Sequence, residues 1–178
     1  MIDKAERLQN RLGPEIQEFR DSRNTLQLGT VDKEGKPHTS YAPFAFSEMG
    51  YYILVSDLAT HGQNLKNSKA VSIMMIEDES EARSIFARRR LSFDTNAEHI
   101  ERDSEQWVAA VDVMRERLGE MIDNLSQLGD FNLYRLNPVE GRYVKGFGQA
   151  FNVSGEDMLS VMHLDEGHVK QMKEENAS

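Results

Sequence analysis

The chain contains no cysteine in its 178 residues. Disulfides, thiolate metal sites and cysteine nucleophiles are therefore excluded. It also lacks any run approaching the ~20 apolar residues of a membrane helix. Its start, "MIDKAERLQN", has none of the apolar stretch of a secretory signal. The cytoplasm is thus the expected compartment, with no membrane partner. Positive charge is in deficit: 21 Lys and Arg stand against 30 Asp and Glu, a net charge of −9. A surface of that sign repels a nucleic-acid backbone, so no nucleic-acid partner is expected, although a local basic patch can still hold a small anion. Absent as well are a G-x-G-x-x-G opening a helix, a Walker loop and H-E-x-x-H. No internal repeat or low-complexity linker divides the chain. Its length suits one domain over 1–178, able to build a core without staples.

What is present is periodicity of two kinds. Ala5, Leu8, Leu12, Ile16 and Phe19 recur three or four apart and predict a helix over 2–22. Gly13-Pro14 predicts a kink or two shorter helices. "TLQLGTV", "PHTSYAPFAF" and "GYYILVS" then predict three strands in an antiparallel meander, with Pro43 marking an edge or a bulge. "ATHGQNLKN" reads as a helical turn. "AVSIMMIED" reads as a central strand buried on both faces. "ESEARSIFA" is expected to be a short helix and "RRRLSFDTNAEHI" a strand. A long helix follows, capped by Asp103 with Gln106. Its buried face would run through Trp107, Val111, Met114, Leu118, Met121 and Leu125. "FNLYRLNP" and "RYVKGFGQAFNV" predict a closing hairpin about "VEG", and a short helix is expected from near Ser154. Six or seven antiparallel strands with short connections suggest a small barrel, mainly β with flanking helices. The expected segments are a helical 1–23, a barrel with insertions over 24–153, and a helix and tail over 154–178.

Chemistry has few carriers. The five histidines are His38, His61, His99, His163 and His168. His163 and His168 are five apart, which on a helix sets them about 140° from one another, so they cannot share a small metal ion. Gly167 breaks the helix beside His168. If His168 binds a metal, it does so as a lone protein ligand, a pattern rare for zinc and ordinary for haem iron. Arg88, Arg89 and Arg90 precede "LSFD". On a strand, Leu91 and Phe93 would enter the core and Arg90 and Ser92 would face away. Arg90 then reads either as part of a solvated basic edge or as an anion site or proton donor to a bound oxygen species. Asp130, in "QLGDF", reads either as a turn residue or as a carboxylate accepting the free N–H of a metal-bound imidazole. The "GFGQA" glycines at 146–150 read as a bulge or a tight corner, or else as a point where a flat ligand comes close.

Taken in order, "TLQLGTVDKEGKPHTSYAPF", "SDLATHGQNLKNSKAVSIMMIEDE", "FARRRLSFD", "VKGFGQAF" and the final "HLDEGH" resemble the HugZ/HutZ family of bacterial haem-utilisation proteins, most closely its HutZ branch. The resemblance covers nearly the whole chain. It implies an antiparallel split β-barrel related to the flavin-binding pyridoxamine-phosphate oxidases. It implies a homodimer with haem at or near the interface, and haem breakdown with iron release. Matched by motif, His168 is the axial iron ligand, Asp130 is hydrogen-bonded to it across the interface, and Arg90 lies on the opposite face of the haem. His61 matches a further family histidine. Related flavoproteins carry a basic residue for the FMN phosphate near His61-Gly62. "THGQNL" has none before Lys66, which argues against FMN.

The scheme that follows from the resemblance is oxidative ring cleavage to a biliverdin-like product, with His168 holding iron and a His–Asp hydrogen bond of moderate strength. A haem-delivery protein and a reductant would be its partners. The rival readings are an FMN-dependent oxidoreductase on the same barrel and a non-enzymatic haem storage or transfer protein.

Overall fold

The computed structural model describes residues 1–154 and 160–163. Its first element is helix α1, Lys4–Asp21, with the Asp3 carboxylate accepting from the Lys4 N–H at its start. The predicted stripe is real: Leu12, Ile16 and Phe19 are buried. Of the two expected outcomes at Gly13-Pro14, division into two helices does not occur: the helix runs on through Pro14. Pro14 and Asn10, whose carbonyl loses its intrahelical donor, are both exposed, so water can satisfy that carbonyl.

Strands β1, Thr25–Val31, and β2, Pro37–Pro43, pair as an antiparallel hairpin. Its turn is held by the Asp32 carboxylate, which accepts from the N–H groups of Glu34 and Lys36 at 2.9 Å. β2 is an edge strand, in agreement with Pro43. The predicted second strand breaks at Phe44, which is fully buried, and resumes as β3, Ala45–Ser47. β3 pairs with β4, Gly50–Ser56. Two separate hairpins therefore replace the expected meander.

Helix α2, Thr60–Asn67, leads to β5, Ala70–Ile76, and β6, Arg90–Ile100. Residues 77–89 form turns rather than the predicted helix. Helices α3, Glu105–Leu118, and α4, Met121–Ser126, precede β7, Phe131–Gly146, β8, Gln149–Ser154, and β9, Ser160–His163. The strand at β9 stands where helix was expected beyond Ser154. The strand order is β2-β1-β5-β6-β7-β4-β3, with β8 on β7 and β9 on β8. Every pairing is antiparallel. Among the described residues no ladder joins β2 to β3, and the barrel is split there.

Three further corrections have local causes. The helix after β6 is capped by Ser104, whose hydroxyl accepts from Trp107 N–H at 3.1 Å; Asp103 has a φ of 62° and lies outside it. That helix ends at Gly119, with a φ of 87°, so Met121 falls on the exposed side of a new helix. β7 runs straight through "VEG". A bulge opposite Asp94 and Thr95 absorbs one residue, and the hairpin turn comes later, at Phe147-Gly148. Gly141 lies mid-strand because a Cβ there would collide with the Phe93 ring.

The core has two parts. Leu28, Phe44, Tyr51, Ile73, Leu91 and Phe93 fill the barrel. Trp107, Ala110 and Met114 of α3 pack on Tyr52, Leu54, Ile100 and Leu133. The strand buried on both faces is accordingly β4, which serves both cores, not β5. β5 is central but alternates, with Val71, Ile73 and Met75 inward and Ser72 exposed. Each of these fully buried side chains contributes about 1.5–3 kcal/mol of transfer free energy.

Candidate functional site

Arg90 opens β6, opposite Ile76 and Val144. Leu91 and Phe93 point into the barrel and Arg90 and Ser92 are half-exposed, as strand alternation predicts. The approach to Arg90 is tied down by Glu77. Its backbone carbonyl accepts from Arg88 Nε at 2.8 Å, and its carboxylate accepts from Arg89 Nε at 2.9 Å. Glu77 N–H in turn donates to the Arg89 carbonyl at 2.9 Å. Arg90 itself donates from Nη1 to the Arg88 carbonyl at 3.1 Å and makes no ion pair among the described residues. Of the three arginines, it is the one without a carboxylate partner among the described residues.

Asp130 lies between α4 and β7, half-buried. Its carbonyl accepts from Asp57 N–H at 2.7 Å, and its Oδ2 accepts from the Ser56 hydroxyl at 2.6 Å. Oδ1 has no donor among the described residues. The surroundings are polar and ordered. Asp57 accepts from Asn132 Nδ2 at 2.7 Å and pairs with Lys66 at 2.8 Å, and Asn132 Oδ1 meets His99 Nε2 at 3.1 Å. A cleft of about 430 Å³ opens there, with Lys66, Lys69, His99 and Asn132 on its rim and Leu65, Ala97 and Tyr134 as its apolar wall.

His61, on α2, brings Nδ1 within 2.8 Å of Ser40 Oγ. Burial, and secondarily the charge of His38, push its pKa below the usual 6.5. The neighbouring Gly62 packs against the end of β4, where a Cβ would overlap the Ser56 carbonyl. His61 and Asp130 thus flank one strand end, while Arg90 lies at the far end of the β6–β7 ladder. His168 lies outside the described residues.

Comparisons with known proteins bear on the family and the fold. The family model for pyridoxamine 5'-phosphate oxidase matches residues 12–145. The chain is 58% identical over 167 residues to the haem oxygenase HutZ of Vibrio cholerae, covering 94% of this chain and 95% of that one. The chain belongs to the HutZ family. The crystal structure of V. cholerae HutZ, there described as a haem storage protein, matches with a TM-score of 0.71 at 56% identity, over 72% of this chain and 91% of that one. Campylobacter jejuni ChuZ matches with a TM-score of 0.80 at 35% identity, over 89% of this chain and 64% of that one. The HutZ-type split barrel expected from the sequence is therefore the fold observed. No helix among the described residues is long and apolar enough to cross a membrane.

Reading the HutZ-like sequence residue by residue passes over Ser56. It closes an apolar strand and its partner lies 74 positions away, so no local pattern marks it.

Proposed function

We propose that the protein binds haem between two copies of the chain in the cytoplasm and cleaves the ring oxidatively to a biliverdin-like product, releasing iron. The observation that carries the reading is the Asp130 carboxylate. One oxygen is fixed by Ser56, and the other, which has no donor among the described residues, would accept an imidazole N–H. The donor set fits haem: a lone histidine, His168, for the iron, a carboxylate to orient that histidine, and at Arg90 a guanidinium without an ion pair among the described residues, for charge on the other face. Haem, the substrate, supplies the redox iron. Asp130 would hold the His168 ring in one tautomer and set how much negative charge it carries. Arg90, bonded to the carbonyl of the Glu77-anchored Arg88, would offer its remaining N–H groups to negative charge developing near the ring.

Within one chain Arg90 and Asp130 are too far apart to serve one haem, which supports a site shared between protomers. FMN is not the ligand in this reading. His61 is turned to Ser40 and kept toward its neutral form, so it offers no fixed charge to a flavin phosphate.

A storage role is the second reading, favoured by the description of the V. cholerae structure as a haem storage protein. Titration with hemin, followed by a reductant in air and monitored by absorption, separates the two. Loss of the porphyrin band with release of chelatable iron supports cleavage. A stable band supports storage. A His168→Ala variant with the wild-type spectrum and turnover would overturn the ligand assignment.

A further inference from the structure

We infer that Ser56 is a positioning residue that sets the strength of the Asp130 hydrogen bond to the iron-bound imidazole; the inference rests on the role proposed above for Asp130.

The geometry is directional. Leu58 N–H donates to Ser56 Oγ at 3.1 Å, occupying a lone pair of the hydroxyl. The hydroxyl proton is then left for Asp130 Oδ2, 2.6 Å away. That distance is in the range of a charge-assisted O–H···O⁻ bond. Such a donor draws negative charge away from the carboxylate, so Oδ1 accepts less strongly than it would from an unshared carboxylate. An imidazole donating to Oδ1 keeps more of its own proton and pushes less electron density to iron.

The frame around this contact is rigid. Asp57 N–H grips the Asp130 carbonyl, and Asp57 is itself fixed by Asn132 and Lys66. Gly62 lets α2 press directly on the Ser56 carbonyl. Ser56 therefore holds the carboxylate by Oδ2, leaving Oδ1 as the oxygen without a donor among the described residues. The hydroxyl acts through Asp130 and does not itself touch haem.

The test is the iron–histidine stretch of the ferrous hemin-loaded protein, read by resonance Raman. Ser56→Val and Ser56→Thr have the same shape and differ in the hydroxyl. Val, like Ala, is expected to move the stretch upward by several wavenumbers, and Thr to restore the wild-type value. Asp130→Asn is expected to move it downward. A shift in Asp130→Asn with none in Ser56→Val and Ser56→Ala overturns the role of Ser56 alone. No shift in Asp130→Asn overturns the assignment of Asp130 and this inference with it.

Discussion

Arg90 and Asp130 stand at opposite ends of the β6–β7 ladder. Arg90 faces Val144 near the close of β7, while Asp130 immediately precedes Phe131 at its start. Asp130 and Val144 are fourteen residues apart, a path of about 45 Å along the chain at roughly 3.3 Å per residue. A haem that meets both takes them from different chains.

That arrangement predicts complementation. Arg90→Ala and Asp130→Ala protein, each inactive alone, are unfolded and refolded together. Half of the dimers are then mixed, and each mixed dimer carries one intact site. Hemin degradation should recover to about a quarter of the wild-type rate in a two-fold dimer. No recovery would place both residues at a site within one chain.

The Glu77 anchor should be worth measurable stability. Glu77 is 6% exposed and ties residues 88 and 89 to the end of β5. Glu77→Ala should cost about 1–2 kcal/mol, below the full value for a buried pair because Arg89 stays partly in water. Urea unfolding measures it, and Glu77→Gln should lose less.

His61 predicts a pH dependence of stability. Its folded-state pKa lies below the usual 6.5, so the unfolded chain takes up the proton first. The contribution of the neutral ring is complete above 6.5 and is lost as the pH falls from there through the lower folded-state value. Thermal unfolding of the wild type should shift downward on acidification more steeply than that of His61→Gln. Parallel curves would refute this.

Gly62→Ala should destabilise by about 1–3 kcal/mol, since the new methyl meets backbone rather than a side chain that can turn away. Denaturant midpoints check the loss. The same variant should weaken hemin binding by loosening the Ser56–Asp130 contact.

Periodicity made most strands readable. Leu91 and Phe93 alternate with Arg90 and Ser92 as a half-buried strand must, and this placed Arg90 correctly on the outer side. Errors arose where a distant partner decides a local shape. "VEG" has the composition of a turn, yet the bulge against β6 carries it within a strand and the Phe93 ring accounts for its glycine. "ESEARSIFA" spaces its apolar residues like a helix, but Ile85 and Phe86 are exposed and Arg88 closes the loop onto Glu77. The strand buried on both faces is β4 rather than β5, because the sequence does not say which strand α3 covers. At the candidate site Asp130 stood out by type and position. Ser56, a serine among strand residues, carries no mark until the fold brings it to the carboxylate.

β7 extends for 16 residues without interruption and belongs to both cores. It works as a ruler, since β4 and β6 flank its first part and β6 and β8 the part beyond the bulge. The span from its Asp130 end to its Val144 end is then a constant of each protomer. In the proposed haem site, adaptation to an incoming porphyrin would fall to the way two such rulers are set against each other.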